Sequence, residues 1–249
     1  YRALSPRAKV VVGLIALVYA AFTLVIIRLG PHGLLEWLAQ FSTFFAQSSL
    51  GPLILILLLI LLSFPPTIGY GTVITLCGLS FGSPLAAPGN SLGYAWFIAA
   101  SGCLLGSVTA FLVCRIALDT HGADWSWVRK VRQGKEWKAM EKAVERKGWK
   151  MILLIRLCPF PFVYSNLFFA SLRPEVIPMP FFVLATLATT PKLFLHVFIG
   201  AQTFEAIQAG RDGGEAATHT SGWFRLFYVV GASALGAATS WYIYHETKK

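Results

Sequence analysis

Six ionisable side chains stand in or beside the apolar stretches of this 249-residue chain: Arg115, Asp119, Arg156, Lys192, His196 and Glu205. A charge at membrane depth is costly and normally faces a cavity or a partner. Asp119 and Glu205 lie nearer the ends of their stretches, so the inner balance is cationic and calls for an anionic group. A lipid phosphate fits, because guanidinium grips phosphate through a fork of donors. Arg156, three residues before Pro159, leads a candidate headgroup path with Asn166, Arg115, Lys192 and Ser165. Blander roles stand beside this one. Arg115 and Lys192 can snorkel to the interface, and Arg115 can pair with Asp119 four residues on. Arg156 can tie carbonyls freed by Pro159 and Pro161, and Ser165 or Asn166 can cap a half-helix. His196 has an unperturbed pKa near neutrality, and with Glu205 it is the candidate for proton coupling.

No enzyme constellation accompanies these groups, and the expectation is a protein that is not an enzyme. There is no Gly-Lys-Ser phosphate loop and no His-Glu-x-x-His. The five histidines are scattered, and Cys77, Cys103, Cys114 and Cys158 form no Cys-x-x-Cys pair. Neither a metal nor a cofactor is expected, and the cysteines read as small apolar residues.

Composition sets the medium. Hydrophobic residues make up 56% and charged residues 13%, against about 25% charged in soluble domains. With a mean hydropathy of +0.64, this is a polytopic membrane protein. The net charge of +10 is uneven: nine Lys or Arg and five acids fall between Asp119 and Lys150. In a membrane protein such an excess marks the cytoplasmic side and affinity for anionic headgroups rather than nucleic acid.

The elements that must hold these groups follow from apolar run length. Residues 1–32 read as an N-terminal transmembrane helix, its 18 uncharged residues Val10–Ile27 preceded by Arg2, Arg7 and Lys9 on the cytoplasmic side. Residues 33–49 read as an interfacial amphipathic helix, with Leu34, Trp37, Leu38, Phe41, Phe44 and Phe45 on one face. Leu50–Leu62 is too short to span comfortably and stops at Pro65 and Pro66. Gly69 and Gly71 then permit a tight return, giving a re-entrant hairpin over 50–83, with one kinked span as the alternative. A transmembrane helix over 92–118 carries small residues at Gly102, Gly106 and Ala110. A basic amphipathic helix over 122–148 follows, its apolar face Trp127, Val131, Trp137, Met140 and Val144. A solvated connector fits the same pattern. A second break at Pro159 and Pro161 gives a hairpin over 149–173, and a span over 176–205 is interrupted by Pro191. Residues 206–249 form a loop and a C-terminal span over Trp223–Tyr244, which returns the C-terminus to the cytoplasm. Discontinuous helices paired in this way are typical of transport folds with inverted repeats.

The run Phe64-Pro65-Pro66-x-x-Gly69-Tyr70-Gly71, then Phe111-x-x-x-Arg115, then Arg156-x-x-Pro159-x-Pro161 with Asn166, resembles the DedA/VTT superfamily, also called the SNARE-associated Golgi protein family. The double proline and Asn166 are most similar to its fungal Golgi, Tvp-type branch. The resemblance covers roughly residues 50–205. It implies an all-α membrane fold of 50–205 with two facing re-entrant hairpins, and residence in the Golgi or a related endomembrane. It also implies phospholipid scrambling of the kind eukaryotic relatives perform, with a link to vesicle trafficking. Membrane phospholipids with anionic headgroups are then the expected partners, beside trafficking proteins, and a homo-oligomer is compatible with the pattern. Bacterial relatives carry acidic residues around the first hairpin, absent from FPPTIGYGT, and a second arginine where Phe162 stands. Both departures count against proton coupling. A proton-coupled small-solute transporter and a non-transporting trafficking scaffold are the alternatives.

Overall fold

The computed structural model describes Arg28, Gly33 and residues 36–121, 133–158 and 160–211. The expected N- and C-terminal spans, Trp127 and Val131 of the basic helix, and Pro159 lie outside the described residues. Among the described residues every regular element is a helix.

Helix α1 (Glu36–Gln47) meets α2 (Gly51–Leu61) at a bend of 111°. Gly51 makes the bend possible, since a Cβ there would lie 2.1 Å from the carbonyl oxygen of Phe45. On α1 the apolar residues divide between two surroundings. Ala39, Ser42 and Phe45 are buried, whereas Trp37, Phe41 and Phe44 are exposed. Trp37 stacks on Phe41 at 5.2 Å, and Phe41 meets Phe45 edge-on at 4.9 Å. An exposed aromatic row beside a polar face suits a helix lying in the headgroup zone.

Helix α2 ends where the prolines remove backbone donors. In a continuing helix the carbonyls of Leu61 and Leu62 would accept from residues 65 and 66, which have no N–H. The Thr67 hydroxyl takes over the carbonyl of Leu62 at 2.7 Å, and the Ser63 hydroxyl donates back to Leu59 at 2.7 Å. Gly69 then adopts a left-handed φ of 102° and α3 (Tyr70–Phe81) begins.

Among the described residues two helices are long and apolar enough to cross a membrane, or three if the bent α1–α2 pair is one span. One is α4 (Leu92–His121). The other is the stretch Met179–Gly210, made of α8 (Met179–Ala188), a 3-10 turn at Thr190–Lys192 and α9 (Leu193–Arg211). Pro191 therefore sits at a change of helix type, as its missing N–H requires. Between them come α5 (Lys135–Lys147), α6 (Trp149–Leu157) and α7 (Phe162–Ser171).

The two helix–break–helix units are interleaved. Helix α2 packs on α4, the long helix of its own unit, while α3 packs chiefly on α9, the long helix of the other. The second unit repeats the pattern: α6 packs on α8, and α7 packs on α4. The first core gathers α2, α3 and the N-terminal half of α4 around Leu55, Leu59, Ile74 and Ile98. The second gathers α5 to α8 on the Phe111 half of α4. Ser63, at the first break, packs on Gly106, midway along α4.

Small residues make these contacts close. A Cβ on Gly78 would lie 1.9 Å from the carbonyl oxygen of Val197, and one on Gly200 would lie 2.1 Å from that of Thr75. Backbones of α3 and α9 therefore touch. The expected small face of α4 receives α2: a Cβ on Gly102 would meet Leu59, and one on Gly106 would lie 2.3 Å from the Ser63 hydroxyl. The apolar face of α5 is covered by protein. Val144 is buried in the second core, and Trp137 meets Phe168 edge-on at 4.8 Å. Arg173 bridges to Glu145 and, at 3.8 Å, to Glu141, which fastens α5 to the end of α7.

Candidate functional site

The two breaks open into one cavity of about 530 Å³. Its wall includes Thr67 to Gly71 from the first break, Phe160 to Ser165 from the second, and Thr189, Lys192 and His196 from the interrupted span.

Arg156 reaches this wall from the last turn of α6 and is only 6% exposed. Its Nη1 donates to the Ser165 hydroxyl at 3.1 Å, and that hydroxyl donates to the Phe162 carbonyl at 2.6 Å. Three rings surround the guanidinium, with centroids at 4.6 Å (Phe162), 4.9 Å (Phe182) and 5.4 Å (Phe169). Ring faces attract a cation, by about 2 kcal/mol or more when water is excluded. They do not satisfy its N–H groups. Nε and Nη2 are buried without an acceptor among the described residues, and so is Nδ1 of His196. Among the described residues lining the cavity none is an Asp or Glu.

Two helix N-termini border the same space. The first intrahelical bonds run from Val73 N–H to Gly69 and from Ser165 N–H to Pro161, both at 3.1 Å. The N–H groups of residues 70–72 and 162–164 therefore have no acceptor inside their helices. Neither helix has a side-chain cap. Such ends carry partial positive charge and accept anions. The site combines a buried guanidinium, an exposed Lys192, and the starts of two half-helices. Chemically it is a donor-rich hollow that can hold an oxyanion.

Of the residues expected on a headgroup path, the cavity brings together Arg156, Ser165 and Lys192, with His196 beside them. Asn166 stands elsewhere. It is fully buried, and its Nδ2 donates to the carbonyl of Ser63 at 3.1 Å. It ties one break to the other rather than lining the path. Arg115 is also placed differently. It points at the carbonyl end of α7, donating to Leu172 at 3.1 Å and Phe169 at 3.4 Å, with Ala170 and Ile177 each at 3.5 Å. A helix end leaves carbonyls without partners, and the five-donor guanidinium supplies them. Phe111 lies under it at 4.2 Å. Glu205 accepts from Gln202 at 2.9 Å and does not line the cavity, so it does not stand with His196.

Two further contacts close and brace the site. Tyr70 stacks on Phe162 at 4.5 Å, closing the two breaks face to face. The Trp96 indole donates to the carbonyl of Thr190 at 3.0 Å and holds the interrupted span against α4. A buried polar tip on an otherwise apolar helix is the one hint that Trp96 offered.

Helical architecture and apolar spans define an all-α membrane protein. The family model described as the VTT domain matches residues 64–202, and the chain belongs to that family. It is 34% identical over 246 residues to the "Golgi apparatus membrane protein TVP38" of Coprinopsis cinerea, covering 98% of this chain and 77% of that one. The protein of that name from Kluyveromyces lactis is 29% identical over 253 residues, covering 100% and 74%. The one from Sclerotinia sclerotiorum is 32% identical over 236 residues, covering 94% of this chain but 55% of its own. No solved structure matches.

Proposed function

We propose that this chain is an integral Golgi membrane protein that moves phospholipids between leaflets, with the headgroup phosphate passing through the cavity between the two breaks. The observation that carries this reading is Arg156, a buried guanidinium in the cavity wall between two half-helix starts, two of whose nitrogens have no acceptor and near which no Asp or Glu lines the cavity among the described residues. Its surroundings hold a phosphate better than they hold nothing. The interleaved packing supports two hairpins re-entrant from opposite faces, because they sit on opposite halves of α4 and meet at its middle. Acyl tails would stay in the bilayer beside α4 and the Met179–Gly210 span. Membership of the VTT family and relatives named as Golgi membrane proteins support the compartment. Both termini lie in the cytoplasm in this reading, and α1 lies along the lumenal interface. A role in vesicle trafficking would follow from balancing leaflet area.

The test is dithionite bleaching of tail-labelled fluorescent lipids in liposomes holding the purified protein. Bleaching beyond the outer-leaflet fraction is expected. No acceleration over empty liposomes, with an active scramblase as control, would sink the reading. The cavity favours transport over a purely scaffolding role, which would need no buried free cation. His196 in the wall keeps a proton-coupled small-solute reading testable: pH-gradient-dependent uptake retained by the double variant His196→Ala, Glu205→Gln would overturn that coupling scheme.

A further inference from the structure

The charge balance of the cavity says more than that a phosphate fits. A zwitterionic headgroup brings an ammonium as well as a phosphate, and the ammonium needs a carboxylate or a free aromatic face. Among the described residues the wall offers no carboxylate. Two of its four Phe and Tyr rings are already engaged. Phe162 lies against Arg156 on one side and is stacked on Tyr70. Phe160 and Tyr164 are left, and both are more than 40% exposed. Lys192 adds a second cation, and the uncapped starts of α3 and α7 add two partial positive ends. The charged side chains of this wall, Arg156 and Lys192, favour negative charge and oppose positive charge.

We infer that the cavity selects lipids of net negative headgroup, phosphate esters that carry no ammonium, over choline and ethanolamine lipids. This rests on the reading of the cavity as a headgroup site. The Arg156 guanidinium, its plane fixed by Nη1 on the Ser165 hydroxyl, brings its positive charge to the wall where the phosphate sits. Lys192, exposed in the 3-10 turn, meets the second charge. The same phosphate chemistry could come from a soluble phosphate ester. Against that source, the wall is largely apolar, from Ile68, Ile74, Val163 and Leu193, and suits a ligand with tails.

The experiment is binding to the purified full chain in detergent, read by native mass spectrometry. The probes are dioctanoyl phosphatidic acid, dioctanoyl phosphatidylcholine and glycerol 3-phosphate. Phosphatidic acid should bind about tenfold more tightly than phosphatidylcholine, the value of one charge-assisted contact, and more tightly than glycerol 3-phosphate, which lacks the tails. Lys192→Gln, at an exposed position that cannot unfold the chain by cavity formation, should shrink that preference at least about threefold. Arg156→Gln should abolish it. Equal binding of phosphatidic acid and phosphatidylcholine would overturn the inference, and so would binding of glycerol 3-phosphate as tight as phosphatidic acid. Preferential binding without any lipid movement in liposomes would support the anion site and sink the transport reading alone.

Discussion

The amide nitrogen of Asn166 lies 3.1 Å from the carbonyl oxygen of Ser63, across 103 residues of chain. That bond joins the two breaks at the middle of α4. It exists because the helix stops at the prolines: the Thr67 N–H, which would serve Ser63 in a continuing helix, turns to Phe64 and leaves the Ser63 carbonyl to find a partner elsewhere. Asn166→Ala should therefore cost about 1–3 kcal/mol through one orphaned buried carbonyl. Asn166→Asp should cost more, since a carboxylate oxygen would face that carbonyl. Thermal unfolding of the detergent-solubilised variants checks the order; an Asp variant as stable as wild type would show that the tie carries no weight.

The glycines of the α3–α9 contact make a second case. A methyl at Gly78 or Gly200 would strike backbone of the facing helix at 1.9 or 2.1 Å, where no side chain can rotate away. Either alanine variant should cost at least about 3 kcal/mol, the upper end of overpacking penalties. Gly93→Ala serves as control. Nothing lies within 4 Å of a Cβ there, so a neutral or slightly stabilising change is expected from helix propensity. Yields of monodisperse protein on size exclusion and its unfolding temperature separate the two outcomes.

Local chemistry made the breaks legible. Prolines cannot continue a helix, glycines permit the turn, and run length separated half-helices from spans. Arg156 also stood out, because a charge before a proline break in an apolar run has few bland explanations. What stayed hidden was which group meets which. Arg115 reads equally as a headgroup ligand, a snorkelling charge or a partner of Asp119. Its role as cap of α7 depends on carbonyls 54 to 62 residues away. Period alone identified one apolar face on α1, yet did not say that Ala39 and Ser42 turn to protein while Trp37, Phe41 and Phe44 turn outward. The same holds for α5, whose Trp137 and Val144 are covered by the second core.

Arg115 should behave as a structural cap. Arg115→Leu removes four donor contacts from the end of α7, and a loss of about 1–3 kcal/mol is expected for the carbonyls left unpaired. Arg115→Lys should recover only part of it, because an ammonium cannot reproduce the planar five-donor fork. Lipid preference in the folded fraction should be unchanged. A variant of normal stability with altered lipid preference would return Arg115 to the headgroup path.

Arg156 should show the opposite pattern. A buried charge without a counter-ion lowers stability, and apolar replacement of buried charges is often neutral or stabilising by about 1–4 kcal/mol. Arg156→Leu keeps apolar volume among Phe162, Phe169 and Phe182, and the Ser165 hydroxyl retains its bond to Phe162. The variant should unfold at the same temperature or higher in detergent, yet move tail-labelled phosphatidylglycerol at the rate of empty liposomes. Gain of stability with loss of function is the mark of a group kept for its ligand. A lower unfolding temperature would mean instead that Arg156 holds α6 to α7 as a structural tie, and the headgroup site would have to be sought elsewhere in the cavity wall.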